Sequence, residues 1–373
     1  MAIKNYFVNG ITAHGYIDFF SFNIQGLKKV FVLKGQPKRL KSELINSIVM
    51  KYKDNLSNIE CIHNPLNPDV LNAIIIPEIN IAVADGAELH ISPTRDRVIE
   101  QIDIDICDNS KLSIFKEDIV KAEERITECC DNARKCFAEG LVIHDEWEKC
   151  YIEHTDFEKS DKLASDTIEL LIGSKIFNKK AVVKHRFFGA STPNGQFDYI
   201  DNITLNMSNR YLLKGRPGTG KSTMLKKLAK ASESHGLDTE IYHCGFDSNS
   251  LDMVLLPELS VCIFDSTSPH IYKPTKPNDK IIDMYEICVK PGTDEMYSHE
   301  IDDISKRYKT VIKQGIQWLA EAKSYQDTAD DFYAQAIIPQ QEKALYDSVT
   351  KKLNRYYDNI CNTFQHINNL FTN

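Results

Sequence analysis

None of the ten cysteines forms a C-x-x-C pair, which removes the usual spacing signature of a structural zinc site. Cys129, Cys130 and Cys136 fall in one helical stretch and read as small, semi-buried residues. Reduced thiols of a cytosolic setting fit that scatter. No run approaches the about 18 consecutive apolar residues of a membrane helix, and the opening MAIKNYFVNG lacks the charged-then-apolar pattern of a secretion signal. A cytoplasmic protein without a membrane partner is therefore expected. An excess of positive charge is missing as well: 45 Lys and Arg stand against 53 Asp and Glu, a formal net charge of −8, which argues against bulk electrostatic binding of nucleic acid. His144, Glu148 and His154 suggest a metal site only weakly. They sit in the charge-rich stretch HDEWEKCYIEH, whose solvated face they form more simply, and no zinc is assigned.

Residues 215–222, GRPGTGKS, form a complete G-x-x-x-x-G-K-[ST] phosphate loop. The apolar residues 210–214 (RYLLK) predict a strand entering it, and residues 223–234 (TMLKKLAKASES) a helix leaving it. Glycine at Gly215, Gly218 and Gly220 lets backbone N–H groups turn inward around a phosphate, and the helix N-terminus adds partial positive charge. The whole loop, with Arg216, Pro217, Thr219 and the following Thr223, is the expected nucleotide-binding element. Lys221 is expected on the β and γ oxygens and Ser222 on Mg²⁺. Residues 261–265, VCIFD, are an apolar strand closed by an acid, the Walker B pattern, so Asp265 is the second expected Mg²⁺ ligand.

The chain is also written twice. At an offset of 180, the loop lands on LKGQPKRLKS, which keeps Gly35, Pro37, Lys41 and Ser42 but not the later glycines. Phe7 matches Phe187, Glu60 matches Glu240, His63 matches His243, Glu78 matches Glu258, Asp85 matches Asp265 and His90 matches His270. A period this long marks a duplicated domain rather than a solenoid. Two α/β lobes are expected, 1–180 with an eroded loop and 181–373 with the intact one. In each, strands alternating with helices predict a parallel-sheet core that buries its own interior. A β-hairpin is expected before the loop strand. After the loop helix come a strand at 239–244, a short helical piece at 250–256, a strand at 260–264 and a last apolar strand at 280–289. The polar stretches at about 115–177 and 298–371 are related at an offset near 182, and breaks at 153–156 and Pro339 predict a helical hairpin on each lobe. Packing between the lobes is their plainest role; a lid or a partner-binding arm is the alternative.

Many ATPases carry a glutamate after the Walker B acid, but here the residue is Ser266. The catalytic base must then come from Asp247, Asp252, Glu258 or His270, and Asp247 is favoured because it follows the strand after the loop helix. Positions shared with the eroded lobe serve the fold as readily as the nucleotide. Asp247 and Asp252 are replaced there by Asn67 and Asn72, whereas Glu258 is retained as Glu78. His243 and His270 read equally as hydrogen-bonded strand-end residues or as phosphate sensors. Arg39, Arg95 and Arg97 are candidates for an arginine finger onto the other lobe, against the plainer reading of solvated charges. Lys38 and Leu40, standing where Gly218 and Gly220 do, imply that the first lobe binds no ATP.

On LKGRPGTGKST, on HCGFDSNSLDMVLLPELSVCIFDSTSPH and on the eroded LKGQPKRLKS, nearly the whole chain resembles a group of bacterial proteins built of two tandem P-loop NTPase lobes. They are labelled only as ATPases or ATP-binding proteins. The resemblance implies ATP binding by the second lobe and names no substrate. The leading expectation is a Mg·ATP-binding NTPase that hydrolyses ATP in its second lobe. A small-molecule phosphotransferase is the alternative, with its acceptor beside Asp247 and the lysines of 273–276 as a lid. A nucleotide-gated interaction protein is the third.

Overall fold

The computed structural model describes residues 2–91 and 97–371. The first lobe contains β1 (Ala2–Tyr6), β2 (Asn9–Thr12), β3 (Gly15–Asp18), α1 (Phe20–Asn23), β4 (Lys29–Lys34), α2 (Lys38–Tyr52), β5 (Asn58–Asn64), β6 (Asn67–Ile76), β7 (Ile81–Asp85) and β8 (Val98–Asp103). It continues into two helices, α3 (Asn109–Ile152) and α4 (Phe157–Leu171). The second lobe repeats the order: β9 (Val183–Phe187), β10 (Gly189–Thr192), β11 (Gly195–Asp198), α5 (Ile200–Ile203), β12 (Asn209–Lys214), α6 (Lys221–Ser234), β13 (Thr239–His243), β14 (Leu251–Leu256), β15 (Val261–Asp265), β16 (Lys280–Asp283), α7 (Met284–Cys288) and α8 (Thr293–Met296). It closes with α9 (Ser298–Ala336) and α10 (Pro339–Phe371).

The two main sheets have the same topology, β1-β5-β6-β7-β4-β8 and β9-β13-β14-β15-β12-β16. They are mixed rather than parallel. β6 and β14 run antiparallel to both neighbours, while the remaining pairs are parallel. The expected helical piece at 250–256 is thus the reversed central strand β14. Its sequence, LDMVLL, is apolar on both faces, a pattern that a short buried helix and a doubly covered strand share. The expected strand at 280–289 stops at Asp283, whose carboxylate accepts from the N–H groups of Tyr285 and Glu286 and starts α7 there. The hairpins β2–β3 and β10–β11 form as expected.

Outer faces of the sheets pack on the loop helices. Leu213, Val254 and Ile263 meet Leu225 and Leu228 of α6, and Phe31, Ile74 and Val83 meet Leu44 and Ile48 of α2. Inner faces, however, do not form separate interiors. Val32, Ile75 and Ala84 of one sheet and Leu212, Leu255 and Phe264 of the other belong to one continuous buried cluster with Phe20 and Ile200. Each short helix also covers the other lobe's edge strand: Asn202 of α5 bonds the backbone of β1 through Asn5 N and Ile3 O, and Asn23 of α1 donates to His185 O of β9. These bonds occupy backbone groups on one edge strand of each sheet, β1 and β9.

The breaks fall where expected, after Ile152 and at Pro339, but among the described residues α3 pairs with α9 rather than folding back on α4. α3 runs antiparallel to α9, as Arg125 over Tyr325 and Phe115 on Phe332 show, and at about 1.5 Å per residue the 44-residue α3 spans about 66 Å. α4 then packs on α6 and α7 of the second lobe through Ala164 and Leu171. In exchange, Val349 and Leu353 of α10 enter the core of the first. Each of these two helices thus packs beside the other lobe's loop helix. Among the described residues no helix is long and apolar enough to cross a membrane.

Candidate functional site

β12 delivers residues 215–220 at its C-terminal end, where α6 begins at Lys221. Gly218 and Gly220 have φ of 77° and 90°, values that disfavour any residue with a Cβ. Glycine is needed there for a second reason. A Cβ on Gly218 would stand 2.7 Å from Glu148 O of α3, and one on Gly220 2.9 Å from Ser160 Oγ of α4. Lys221 Nζ donates to the carbonyls of Gly215 (3.3 Å) and Arg216 (3.0 Å) and lies 3.7 Å from Asp265 Oδ2. Thr219 is buried and its hydroxyl donates to Arg216 O. Ser222 Oγ accepts from Leu251 N at 2.9 Å, which fixes α6 to the start of β14. Pro217 is partly buried, and Thr223 is exposed. Arg216 turns its guanidinium away from the loop onto Asp294 (2.8 Å) and the Tyr285 ring, with Tyr151 of α3 donating to the same carboxylate.

Asp265 closes β15 and accepts from Thr267 N at 2.8 Å. Met253 pairs with Phe264 across β14 and β15, so one step further on Asp252 stands opposite Asp265 on the same face of the sheet. Burial pushes the Asp252 carboxyl up to about 7, and the neighbouring Asp265 charge adds to the rise. Asp247 is placed differently. Burial would raise it too, but hydrogen bonds from Ser250, Asn249 N and His14 outweigh that and hold it below the usual carboxylate range. It shapes the turn before β14. Glu258 is not part of the site: it lies past the opposite end of β14, accepting from Asp238 N and pairing with Lys179. The length of β14, Leu251–Leu256, separates it from Asp252.

The histidines are pinned as well. His243 bonds Ser248 O and His185, and its counterpart His63 bonds Pro68 O and Asn5. His270 bonds Asp198 at 2.8 Å. Ser266 exchanges hydrogen bonds with the Tyr272 backbone. Arg39 pairs with Glu43 on its own helix and Arg97 bonds Ile24 O, both within the first lobe, while Arg95 lies outside the described residues. Lys276 donates to the carbonyls of Thr204 and Leu205 and is not a free lid.

Residues that sequence reasoning passed over come from the other half of the chain. His14, at the tip of the β2–β3 hairpin, bonds Asp247 at 2.7 Å. His144 and Glu148 of α3, expected on a solvated face, instead lie against the second lobe, the His144 ring beside Phe246 and the Glu148 backbone beside Gly218. A signal for them existed in the repeat, since His14 and His144 align with Asn194 and Gln326. It pointed nowhere until α3 was known to cross to the second lobe.

In the first lobe the corresponding site is filled. α2 begins at Lys38, so residues matching the loop's last turn are already helical. Leu40 is buried, Lys38 pairs with Glu88, and the buried Lys41 ammonium binds Asp85 directly at 2.6 Å. A cleft of about 610 Å³ bounded by Asn5, His63, Asp69 and Asn202 contains none of the loop residues. Among the described residues no group of three or more His, Cys, Asp or Glu could hold a metal alone. Hard oxygen donors at Ser222 and Asp265 suit Mg²⁺, which keeps several waters and takes further oxygens from phosphate. Comparison with protein-family models, with curated proteins and with solved structures returns no match, so the chemistry of these side chains carries the functional reading.

Proposed function

We propose that the second lobe is a P-loop NTPase unit that binds Mg·ATP on residues 215–222 and hydrolyses it. The observation that carries this reading is the contrast between the two lobes. Where the loop is intact, Lys221 rests on loop carbonyls and stands 3.7 Å from Asp265; where it is eroded, Lys41 and Asp85 close on each other at 2.6 Å. The loop amides and Lys221 would hold the β and γ phosphates, and Ser222 and Asp265 would hold a Mg²⁺, whose charge would offset that of the phosphates. Asp252, opposite Asp265 and replaced by Asn72 in the first lobe, would take a proton from the attacking water, which its position across from Asp265 supports. Hydrolysis is favoured over transfer to a small acceptor because Asp247 and Lys276, on which transfer leaned, are held by other partners.

The test is calorimetric titration with ATP alongside phosphate release, on the wild type and Lys221→Ala. Charged hydrogen bonds are worth about 1.5–3 kcal/mol each, so the variant is expected to lose about 10- to 100-fold in ATP affinity while keeping its unfolding temperature. Equal affinity in a folded variant overturns the assignment.

A further inference from the structure

We propose that the first half of the chain completes this site, with His144 of α3 contacting the terminal phosphate of a nucleotide held on residues 215–222. This rests on the reading above and adds a residue to it. Gly140, His144, Glu148 and Ile152 recur at four-residue spacing and so share one face of α3. Both ends of that stripe touch the second lobe: a Cβ on Gly140 would lie 3.4 Å from the Phe246 ring, and Glu148 and Ile152 lie against Gly218. His144 is therefore suspended between the turn that carries Asp247 and the phosphate loop.

Its surroundings suit an anion. The ring is half-buried among Phe246 and Tyr308 of α9, its Nδ1 is 3.8 Å from Glu148 Oε1, and no hydrogen bond holds it among the described residues. The other histidines facing this region, His14, His243 and His270, all have partners. Burial keeps the His144 ring below the ordinary imidazole range; Glu148, Asp145 and Asp247 act to raise it and Lys221 to lower it. With Nδ1 turned to Glu148, Nε2 is left to donate to a phosphate oxygen once the added negative charge draws a second proton to the ring. The repeat supplies an independent observation. At the pseudo-symmetric position on α9, facing the eroded loop, the residue is Gln326. The imidazole is thus present only where there is a loop to serve.

The experiment compares ATP and ADP affinities in wild type, His144→Gln and His144→Arg by calorimetry. His144→Gln copies the residue that α9 already carries in its own stripe, so the helix tolerates it. It is expected to weaken ATP by about 10-fold or more, as for a lost charged hydrogen bond, and to leave ADP within about 2-fold, collapsing the preference for ATP. His144→Arg restores a cation and is expected to restore that preference, which a merely structural role would not do. Lys221→Ala should weaken both nucleotides. An unchanged ATP-to-ADP ratio in His144→Gln, or equal loss of both nucleotides with no rescue by arginine, overturns the proposal while leaving the loop assignment standing. A wild type that binds neither nucleotide brings down both.

Discussion

Asp247 and Asp252 flank the entry to β14 and have opposite environments. Asp247 spends both carboxylate oxygens on Ser250, Asn249 N and His14. Asp252 faces Asp265 and is raised to about 7. A positioned base contributes about 10²- to 10⁴-fold to a rate, so Asp252→Asn is expected to cut kcat by that factor with little change in ATP affinity, the signature of an interaction made in the transition state. Asp247→Asn should instead lower stability by about 1 kcal/mol, the net worth of a typical hydrogen bond, with kcat changed only a few-fold. Steady-state turnover and thermal unfolding of both variants decide between them, and a larger kcat loss in Asp247→Asn would return the base to the turn. Sequence reading could see that both residues are amides in the first lobe. It favours Asp247 for its place after the strand that follows the loop helix, and nothing in DSNSLDMV tells a turn carboxylate from a strand carboxylate. That distinction comes from the register of β14 against β15.

Elements were legible where a local signal ended them. The glycine-rich loop, the strand before it, the helix after it and the strand closed by Asp265 all lie within a residue or two of expectation, since glycines, apolar runs and a closing acid mark them. β14 differs from the expected helix because six residues, apolar but for Asp252, carry no period of their own. The eroded loop shows how few residues separate the two states of this element. With Lys38, Arg39 and Leu40 in place of Gly218, Thr219 and Gly220, α2 starts earlier than α6, and Lys41 closes on Asp85 in an internal ion pair. Lys41→Met should leave Asp85 buried without its partner at a cost of about 3–5 kcal/mol. Nucleotide stoichiometry should remain one per chain. Denaturant unfolding reads the first expectation and calorimetry the second; two sites per wild-type chain would show that the Lys41–Asp85 pair opens to admit phosphate.

At the scale of the whole molecule, the duplication behaves as an isologous dimer joined in one chain, in which equivalent residues meet across an approximate dyad. Phe7 bridges to its own counterpart Phe187, and the bridges Cys107–Ile337 and Thr155–Val289 are images of each other. Sequence comparison found the repeat but not the exchange of α4 and α10, because which lobe a helix's apolar face meets is a property of the assembled surfaces. Near the dyad, Lys4–Glu240 and Lys184–Glu60 form crossed pairs, and the symmetry breaks at Arg186, whose counterpart is Tyr6. Arg186 is fully buried and binds Glu60 of the first lobe at 2.7 Å and Glu240 of the second at 2.9 Å. Burial alone would raise both carboxyls, but Arg186 first, and the two lysines with it, hold them below the usual carboxylate range. Groups with depressed folded pKa values contribute stability that is fully present above the unfolded value near 4.5 and is lost as pH falls through the folded values. Arg186→Met removes the cation and leaves two buried carboxylates, so at pH 7 it is expected to cost about 3–5 kcal/mol. In acid the variant's carboxyls protonate first and no longer need the missing charge, while the wild type is only beginning to lose its pairs. The stability gap between the two proteins should therefore narrow steadily as pH drops toward and below about 4.5. Denaturant unfolding of both at a series of pH values measures that gap, and a difference that stays constant would mean that Arg186 holds the lobes together by packing on Tyr6 rather than by its charge.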